Sequence, residues 1–413
     1  MLCLQCLCFA MKANKLRNNN PGVLLFTPWY PNRYDSMFGL FVQRHAEIIS
    51  VDEPVVVIYI HGTDQNLKSN FEIEVSQKDN LQEIRIYFTK KSNNKGVLSG
   101  ISSMIRYIRA FFKVWRFYKK NFNLPDIIHV NVLTRSGLQA LYLKYIYKIP
   151  YVITEHWSRY MPGNNSFRGW IHKQLTKIVV KNARAVSAVS QKLLKSMKDA
   201  GLEHSNYKLV YNYVDTHLFK PPKENIKNEV IHFLHVSCFE DKSKNISGII
   251  NVIEQLQTMG YDFKMTMVGD GVDFDRVQNL IAEKNLNSVI TCTGVLEGQA
   301  LASYYQQADY QVLFSNYETF GIVVYEGFAA GLPAIATKTA DFDYHIDEKK
   351  GILVDVKDQQ GLFEAMKYCI EKQPEFKTDY LRNYAIQYFS KDAVLQQIKD
   401  LYDSALKQGY VNQ

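Results

Sequence analysis

Residues 315–333 read SNYETFGIVVYEGFAAGLP, and this stretch decides the fold. It carries two carboxylates, Glu318 and Glu326, which are eight residues apart and lie on either side of a Phe-Gly pair. The apolar run Tyr310–Phe314 before it predicts a buried strand, and the residues after Gly321 predict a helix that ends at the Ala-Gly-Leu-Pro segment. Glu318 is therefore expected at a strand-to-helix turn, with Glu326 about two turns along the helix.

The start of this predicted helix is a candidate anion site. The backbone N–H groups of Gly321, Ile322 and Val323 lack partners within the helix and point at the turn. A phosphate held there, with a carboxylate on each side to bind hydroxyl groups, has the chemistry that a nucleotide sugar requires. The same spacing also fits an ordinary turn with two surface glutamates, because glutamate pairs are common on helices.

Short β-rich runs alternate with helical stretches along the chain. The first series of predicted strands comprises Val23–Phe26, Val55–Tyr59, Ile84–Tyr87, Ile127–Asn131, Tyr151–Thr154 and Ala185–Val189. The second comprises Ile231–Val236, Lys264–Val268, Val289–Cys292, Tyr310–Phe314, Ala334–Ala336 and Ile352–Val354. This alternation predicts parallel sheets with helices on both faces. The polar, proline-bearing segment Leu218–Asn225 lies between the two series and predicts a domain boundary.

The motif Glu-x-Phe-Gly-x4-Glu-x3-Ala-Gly-x-Pro within residues 315–333 resembles the signature of retaining glycosyltransferases of family 4. Other pieces of the family pattern follow in the right order: Trp29-Tyr30-Pro31, Gly39-Leu40-Phe41, Thr154-Glu155-His156, Ser187–Ser190, Asn212–Asp215, Lys244-Asn245 and Gly269-Asp270-Gly271. The resemblance covers nearly the whole chain. It implies an α/β protein of the GT-B fold, in which two Rossmann-like domains with parallel sheets face each other across a cleft.

The resemblance also implies a division of the chain. Residues 1–220 would form an N-terminal acceptor-binding domain and residues 221–390 a C-terminal nucleotide-sugar-binding domain, with residues 391–413 crossing back to the first. Residues 1–20 are expected to be disordered or an over-extended start before Met11, because they lack the basic region of a secretory signal. A metal site is not expected there, since its cysteines have no fourth ligand nearby; they are Cys3, Cys6 and Cys8.

Roles for individual residues follow from the resemblance. The expected catalytic residues are Glu318, which contacts the transferred sugar, His156, which lies near the bond being broken, and Lys244, which neutralises the diphosphate. Glu326 is expected to hold the ribose hydroxyls. The full set of expected donor-binding residues is Glu326, Gly321, Ile322, Val323, Phe320, Gly39, Gly269, Gly294 and Asn245.

The implied reaction moves a sugar from a nucleoside diphosphate to an acceptor hydroxyl with retention of the anomeric configuration. Charge develops on the diphosphate and on the sugar, so positioning and electrostatic stabilisation would supply most of the catalysis. Glu318 is either a contact of the sugar in a same-face mechanism or a nucleophile, as in retaining glycosidases. We expect no metal cage and no cofactor, because no Asp-x-Asp motif is recognised in the chain. Lys244 and the backbone amides at Gly321–Val323 and near Gly39 can neutralise the diphosphate instead.

Three departures from the family pattern bear on the site. Ser237-Cys238-Phe239 replaces a common Gly-Arg-Leu, so Cys238 cannot supply the arginine's charge, and Lys242 is the candidate substitute. Residues 340–344 read ADFDY where Gly-Gly-x-x-Glu is usual. Glu-Gly-Phe-Ala replaces Glu-Ala-Met-Ala, which is expected to be neutral.

Charge is divided unevenly along the chain. Residues 1–220 carry 31 Lys and Arg against 14 Asp and Glu, a net charge of +17, whereas the remainder carries 18 against 27, a net charge of −9. Within residues 101–200 there are 18 basic and 3 acidic side chains. This asymmetry indicates a polyanionic partner for the first half of the chain.

An amphipathic helix predicted at Ser103–Lys120 lies in this basic region. Its cations fall on one stripe, and most other positions are apolar; the stripe comprises Arg106, Arg109, Lys113, Arg116 and Lys120. One flank could pack on the core while phenylalanine and tryptophan side chains meet lipid and the cations meet anionic headgroups. The alternative is a helix buried on both flanks with a solvated basic edge. We expect a cytoplasmic protein bound peripherally at the inner membrane face.

Other functions remain as alternatives. A sugar phosphorylase or an epimerase would share the fold, and a non-catalytic glycan- or lipid-binding protein could retain it. The complete set of Glu318, Glu326, Lys244 and His156 favours an enzyme. Nucleic acid is not expected as a partner, because the basic region carries no recognisable nucleic-acid-binding motif. A dehydrogenase is disfavoured, since Gly269-Asp270-Gly271 does not complete a dinucleotide fingerprint.

Overall fold

The computed structural model describes residues 22–90, 97–133, 135–162, 164, 166–223 and 228–407. The expectations for residues 1–20 lie outside this part of the chain, as do residues 408–413 of the predicted last segment.

The first sheet contains eight strands among the described residues, in the order β3-β4-β2-β1-β5-β6-β7-β8. They are β1 (Val23–Thr27), β2 (Val55–Thr63), β3 (Phe71–Lys78), β4 (Leu81–Thr89), β5 (Ile127–Asn131), β6 (Tyr151–Glu155), β7 (Ala185–Ala188) and β8 (Tyr207–Leu209). All neighbours are parallel except β3, which pairs antiparallel with β4. The order changes direction between β1 and β5, so a crevice is expected at their carboxyl ends.

In the part of the chain that the structure describes, the second sheet contains six parallel strands in the order β11-β10-β9-β12-β13-β14. They are β9 (Ile231–Val236), β10 (Phe263–Val268), β11 (Ile290–Gly294), β12 (Tyr310–Leu313), β13 (Ala334–Thr337) and β14 (Gly351–Val354). Here the change of direction falls between β9 and β12, and the loops that follow these two strands carry Lys244 and Glu318.

Helices cover the sheets. Those of the first half are α1 (Leu40–Ile49), α2 (Val97–Asn121), α3 (Arg135–Tyr147), α4 (Trp170–Asn182) and α5 (Gln191–Asp199). Those of the second half are α6 (Asp241–Lys244), α7 (Ile246–Thr258), α8 (Phe274–Glu283), α9 (Gly298–Gln307), α10 (Ile322–Ala329), α11 (Phe342–His345), α12 (Gln359–Lys372) and α13 (Thr378–Phe389), followed by α14 (Lys391–Lys407).

Every strand predicted from the sequence overlaps a strand of the structure, and two strands were missed. β3 is largely exposed and reads FEIEVSQK, so charged and polar side chains occupy much of a strand at the sheet edge. β8 has three residues, which is too short for a periodic signal. The predicted helix after Gly321 is confirmed as α10, and it ends where Gly331 adopts a left-handed φ of 80°.

The last helix, α14, returns to the first sheet. It packs against β6, β7 and α1. The Tyr402 hydroxyl is 2.8 Å from Nδ1 of the buried His129 on β5, and the ammonium of Lys399 is 2.5 Å from Asp52. These contacts support the proposed division into residues 1–220, 221–390 and 391–413, whose limits stay a prediction.

Two chain segments cross between the halves, and they run side by side. The N–H of Val214 donates to the carbonyl of Phe389 at 2.7 Å, which joins the first crossing to the end of α13. The Arg382 guanidinium donates to the carbonyls of Thr216 and Phe219 at 3.1 and 3.2 Å. The segment that leaves the first half near Val214 and the segment that returns after Phe389 are therefore hydrogen-bonded to each other.

Candidate active site

Lys244 and Glu318 meet at the carboxyl ends of β9 and β12. The Lys244 ammonium donates to Oε1 of the buried Glu318, and the Ser315 hydroxyl donates to the same oxygen at 2.9 Å. Burial lowers the pKa of Lys244, but the Glu318 charge outweighs it and the pKa is raised overall. Lys244 is therefore protonated at neutral pH, and within the described part of the chain both of these hydrogen bonds go to Oε1 of Glu318, which leaves Oε2 able to accept from a ligand.

Two hydrogen bonds hold the loops that carry this pair together. The N–H of Asn316 donates to the carbonyl of Ser243 at 2.7 Å, and the Asn316 side-chain amide donates to the carbonyl of Lys242 at 3.0 Å. The position of Lys244 relative to Glu318 is thus set by backbone contacts as well as by the ion pair.

Gly321 makes the turn between Glu318 and α10. Its φ is 70°, and a Cβ there would lie 2.3 Å from Cζ of Phe342, so a larger residue is excluded. Ile322 and Val323 follow as the first helical residues, where N–H groups have no partner inside a helix. The Phe320 side chain is buried against Tyr325, with ring centroids 4.8 Å apart. It packs in the core beneath the turn, and a direct contact with a donor stays a prediction.

Glu326 is the fifth residue of α10, about one turn from its start where about two were expected, and it is buried. Its Oε1 is 3.5 Å from the Arg44 guanidinium of the first half, and the Tyr305 hydroxyl donates to its Oε2 at 3.4 Å. Burial raises the pKa of Glu326, and the charge of Arg44 offsets part of this rise. The carboxylate predicted to bind the ribose is therefore also a contact between the halves.

His156 follows β6 and is buried. Its Nε2 is 2.8 Å from Oδ1 of Asn131 at the end of the neighbouring strand β5, and its ring lies 4.7 Å from that of Phe41. Burial, together with the nearby His45 and His129, lowers its pKa well below the usual range. The ring is therefore neutral, and its Nε2 is hydrogen-bonded to the Asn131 side chain. Its buried Nδ1 makes no hydrogen bond of normal geometry to the described residues, and the Asn212 side chain partly offsets the lowering of the pKa.

Glu155 has a structural role. Its carboxylate accepts from the N–H groups of Leu133, His156 and Trp157 at 3.0, 2.8 and 2.9 Å. Burial raises its pKa, against the effect of these bonds. The three bonds fix the loop that presents His156.

The remaining predicted donor-binding residues lie at the sheet edges that carry Lys244 and His156. Gly39 precedes α1 with a φ of 72°, and a Cβ there would lie 2.4 Å from the Trp29 carbonyl carbon. Gly269 and Gly294 follow β10 and end β11, and the N–H of Gly269 donates to the carbonyl of Gly294 at 2.9 Å. Asn245 joins α6 to α7 in a left-handed conformation. Their contacts with a donor stay predictions.

Cys238 and Lys242, at the position of the first departure, are both exposed. The Cys238 thiol brings no positive charge, as expected. Lys242 lies two residues before Lys244 on α6. Its substitution for the missing arginine stays a prediction.

The expectation that Asp-x-Asp is absent from the chain is wrong. The triplet occurs at Asp273–Asp275 and at Asp341–Asp343. Asp273 accepts from the N–H of Asp241 at 2.8 Å and pairs with Arg276. Within the described part of the chain, no cluster of three or more His, Cys, Asp or Glu side chains is arranged to hold a metal ion.

The second triplet joins the halves. The buried Asp341 accepts from the N–H groups of Gln191 and Lys192 at 2.5 and 2.9 Å, and these residues begin α5. The Lys192 ammonium is 2.7 Å from Asp343. Where Gly-Gly-x-x-Glu is usual, this chain therefore has a carboxylate, Asp341, that binds the first N–H groups of a helix in the other half, a position that favours negative charge.

The amphipathic helix is confirmed as α2, with one flank buried and one exposed. Apolar side chains on the exposed flank adjoin the basic stripe; they are Ile101, Met104, Ile105, Ile108 and Phe112. Trp115, which was expected to be offered to lipid, is buried and stacks on Tyr118. Trp170 on α4 is a tryptophan that is exposed.

The sequence pattern does not predict a role in the site for Arg44 or Asn131. Each is identified only by its contact with Glu326 or His156, which are distant in the chain. A weak signal exists in both cases, because Arg44 follows Gly39 by about one turn of α1 and Asn131 ends a predicted strand.

Two family models match adjoining parts of the chain. "Glycosyltransferase Family 4" matches residues 92–218, and "Glycosyl transferases group 1" matches residues 218–388. With the two-sheet fold and the residues at the carboxyl ends of β9 and β12, these matches define a glycosyltransferase. The chain belongs to glycosyltransferase family 4 and has the GT-B fold.

Individual relatives are distant. A 41.2 kDa protein of the cps region of Klebsiella pneumoniae is 25% identical over 336 residues, which are 78% of this chain and 90% of the relative. N-acetyl-alpha-D-glucosaminyl L-malate synthase of Bacillus anthracis is 22% identical over 56% of this chain and 63% of its own length.

Solved structures share the fold over nearly the whole chain. Sucrose-phosphate synthase of Thermosynechococcus elongatus superposes with a TM-score of 0.74 at 19% identity, covering 94% of this chain and 99% of its own. HepE of Anabaena, solved with UDP and glucose, gives 0.70 at 17% identity, covering 93% and 100%.

Proposed function

We propose that the protein is a retaining, metal-independent glycosyltransferase that moves a sugar from a nucleoside diphosphate to a hydroxyl of a glycan or lipid-linked acceptor. The observation that carries this proposal is the Lys244–Glu318 pair beside the start of α10, with Glu326 about one turn into that helix. A cation from α6, the first N–H groups of α10 and two carboxylates then lie around one turn, which suits a diphosphate between two sets of hydroxyl groups.

The contacts of Glu318 support a positioning role in a same-face reaction. One carboxylate oxygen already accepts from Lys244 and Ser315, so the other is available to a sugar hydroxyl. Lys244 and the first N–H groups of α10 stabilise the charge that develops on the leaving phosphate. The bond between the anomeric carbon and the phosphate oxygen breaks, the acceptor oxygen bonds to that carbon on the same face, and the leaving phosphate takes the acceptor proton.

A neutral His156 fits the acceptor side of this reaction. Its Nδ1 can bond to a sugar or acceptor hydroxyl, while Asn131 holds the other ring nitrogen. Because its pKa lies well below the usual range, the ring keeps this hydrogen-bonding pattern at neutral pH.

Relatives support a role in the synthesis of cell-surface polysaccharide or glycolipid. They include the cps-region protein of Klebsiella pneumoniae, a diphospho-undecaprenol N-acetylgalactosaminyltransferase of Campylobacter jejuni and the alpha-monoglucosyldiacylglycerol synthase of Acholeplasma laidlawii. The last two names specify lipid-linked products or acceptors. In the described residues, no helix is long and apolar enough to span a membrane.

We propose that the protein binds an anionic membrane surface and reaches a lipid-linked acceptor there. The net charge of +17 on residues 1–220 and the exposed apolar flank of α2 beside its basic stripe support this. Binding would then be peripheral, at the inner membrane face.

The nucleotide of the donor can be identified by measuring the thermal unfolding midpoint with UDP-, GDP- and ADP-sugars. A ligand at 100 times its Kd adds about 2.7 kcal/mol to the free energy of unfolding, so the correct nucleotide raises the unfolding midpoint. Anomeric NMR of the product formed with that donor would then show retention. An inverted product, or release of sugar 1-phosphate only when inorganic phosphate is added, would contradict the proposal.

A further inference from the structure

Helix α4 has an exposed apolar stripe that has no role in the proposed site. Ile171, Leu175 and Ile178 recur at the spacing of one helical face, and Ile171 and Ile178 are 68% and 47% exposed. Val179 and Val180 lie on other faces of the helix and are buried, so they fix α4 to the first half. Single exposed apolar side chains are ordinary, whereas a contiguous apolar surface marks a site of interaction.

The stripe of α4 is continuous with exposed side chains of α3 and α2. The Tyr145 hydroxyl of α3 donates to Oδ1 of Asn182, which lies one turn beyond Ile178, and Tyr145 is 56% exposed. Tyr142 lies one turn before Tyr145, and its ring centroid is 5.6 Å from that of Phe112 on α2, which is 42% exposed. The exposed side chains of α2, α3 and α4 therefore form one surface, which we call the three-helix face.

The three helices that form this face carry basic side chains and no acidic ones. Together α2, α3 and α4 contain 11 Lys and Arg and no Asp or Glu. Two of the cations lie at the seams between helices, where the Lys119 ammonium donates to the Tyr147 hydroxyl at 2.9 Å and the Lys144 ammonium donates to the Asn182 carbonyl at 2.7 Å. An apolar surface with cations and no carboxylates complements an anionic lipid bilayer and repels a second copy of itself.

We propose that the three-helix face docks on an anionic bilayer and that the Ile171–Ile178 stripe of α4 inserts at the boundary between headgroups and acyl chains. The inference rests on the proposed membrane association and deepens it. The basic stripe of α2 accounts for attraction to the surface, whereas α3 and α4 add apolar side chains that leave water. Interfacial helices bury their apolar face about 5–10 Å into this boundary.

The three-helix face reaches the edge of the first sheet that carries His156. Helix α3 follows β5 and helix α4 follows β6, so both begin on the side where the carboxyl ends of these parallel strands lie. Ile171 is the second residue of α4 and is therefore at this end of the face. An acceptor whose lipid remains in the bilayer can then present its hydroxyl group to the cleft from this side.

Sedimentation of the full-length protein with vesicles that contain phosphatidylglycerol measures the contribution of α3 and α4. A variant that combines Ile146→Ser, Ile171→Ser and Ile178→Ser keeps every charge, and we expect it to bind at least about tenfold more weakly because apolar burial is lost. The loss should be as large at moderate salt as at low salt, since apolar burial is not screened. The matched control removes three exposed apolar side chains of the second half and should bind like the wild type; it combines Met259→Ser, Val356→Ser and Tyr368→Ser.

A tryptophan placed in the stripe of α4 measures insertion directly. Ile178→Trp adds its emission to that of the four native tryptophans. In vesicles whose acyl chains are brominated, the added emission should be quenched, because bromine acts only on a tryptophan that lies close to it. Met259→Trp, at an exposed position of the second half, is the control whose added emission should be retained.

Wild-type vesicle affinity in the triple serine variant of α3 and α4, or unquenched emission from Ile178→Trp, would overturn the insertion and leave α2 as a purely electrostatic contact. Dimerisation of the wild type without vesicles, lost in the same triple variant, would overturn docking on lipid and assign the three-helix face to a second copy of the chain. Analytical ultracentrifugation measures this outcome.

The donor site provides an independent readout. The triple variant changes only exposed side chains, so its thermal unfolding midpoint should equal that of the wild type, and the same nucleotide sugar should raise both midpoints equally. If no nucleotide sugar raises the midpoint of a wild type that still inserts into vesicles, the proposed donor is contradicted and the docking surface is supported.

Discussion

Arg44 and Glu326 form an ion pair, 3.5 Å long, between α1 of the first half and α10 of the second. Their positions in the chain are 282 residues apart. Glu326 is buried, whereas the Arg44 side chain is partly exposed. The carboxylate that we expect to bind the ribose is therefore also part of the contact between the two halves.

The two signature glutamates should separate binding from turnover. Glu326→Ala is expected to weaken nucleoside diphosphate binding by about 10- to 100-fold, because hydrogen bonds from the ribose hydroxyls to a charged group are lost. Glu318→Ala should leave this binding nearly intact while turnover collapses. Calorimetric titration with the diphosphate and an initial-rate assay measure both. Equal loss of nucleotide affinity in the two variants would reject this division of roles.

Removal of Arg44 should make nucleotide binding more sensitive to acid. Burial already raises the pKa of Glu326, and Arg44 counteracts this, so Arg44→Ala should raise the pKa further. Only the ionised carboxylate accepts from both ribose hydroxyls. Affinity measured by titration from pH 8 to pH 5 should therefore begin to fall at a higher pH in Arg44→Ala than in the wild type. Coincident pH profiles would show that Arg44 does not act through Glu326.

Activity should not require a divalent metal ion. Lys244 and the N–H groups at the start of α10 are proposed to neutralise the diphosphate, so EDTA should leave the rate nearly unchanged. Lys244→Ala should lower kcat on the order of 100-fold, the typical effect of removing one preorganised charge-stabilising group. Lys242→Ala, on the same short helix, tests the candidate substitute for the missing arginine. Strict dependence on Mg²⁺ or Mn²⁺ would contradict the proposal.

Stability should fall as the pH drops below about 6.5, the ordinary pKa of histidine. Burial lowers the pKa of His129 to about 3 and that of His45, His235 and His345 to about 4. Between these values and 6.5 the unfolded chain binds protons that the folded chain does not, so each histidine's contribution is present above pH 6.5 and lost towards pH 4. Each contributes a slope of at most about 1.4 kcal/mol per pH unit.

Urea unfolding midpoints at several pH values between 7.5 and 4 measure this loss. Buried carboxylates act in the opposite sense, because burial raises the pKa of Glu155, Glu326 and Asp341. A variant therefore isolates the histidine effect: His129→Gln should reduce the slope, and the exposed control His217→Gln should not. The same slope in both variants would exclude His129 as a contributor.

Sedimentation with lipid vesicles tests whether the protein binds an anionic membrane surface. Binding to vesicles that contain phosphatidylglycerol should be strong at low salt and weaken as salt screens the charges, whereas phosphatidylcholine vesicles should bind little. Changing Arg109, Lys113 and Arg116 to Glu should release the protein, since each basic residue near such a surface contributes about 1 kcal/mol. Donor binding should be unaffected.

A matched variant controls for net charge. Lys349, Lys357 and Lys372 are exposed on the second half, and changing them to Glu should leave sedimentation unaltered. Sedimentation of the α2 variant with anionic vesicles at the wild-type level would assign α2 a solvated basic edge and no membrane contact.

Local pattern was sufficient for the elements that frame the site. Strands β9 and β12 and the turn at Gly321 were predicted because each combines an apolar run or a glycine with the residues that follow it in the chain. Lys244 and Glu318 could be assigned by resemblance, but their ion pair depends on two loops that meet only after the second sheet forms.

Contacts between residues that are far apart in the chain could not be predicted from the sequence pattern. Asp341 was interpreted as a departure from a motif, and its bonds to the start of α5 become visible only when the halves are packed together. Trp115 and Phe112 occupy the same helix, and the pattern alone could not determine which of them faces the core.

The return of α14 to the first sheet has a consequence for biosynthesis. The first sheet is translated before the second, yet the contact between Tyr402 and His129 cannot form until residues 391–407 have left the ribosome. The half that is made first is therefore the half that is completed last. A nascent chain that stalls after β14 would hold a fully synthesised second sheet while the apolar surface beneath α14 is still uncovered, and a chaperone that binds apolar segments would find its target there.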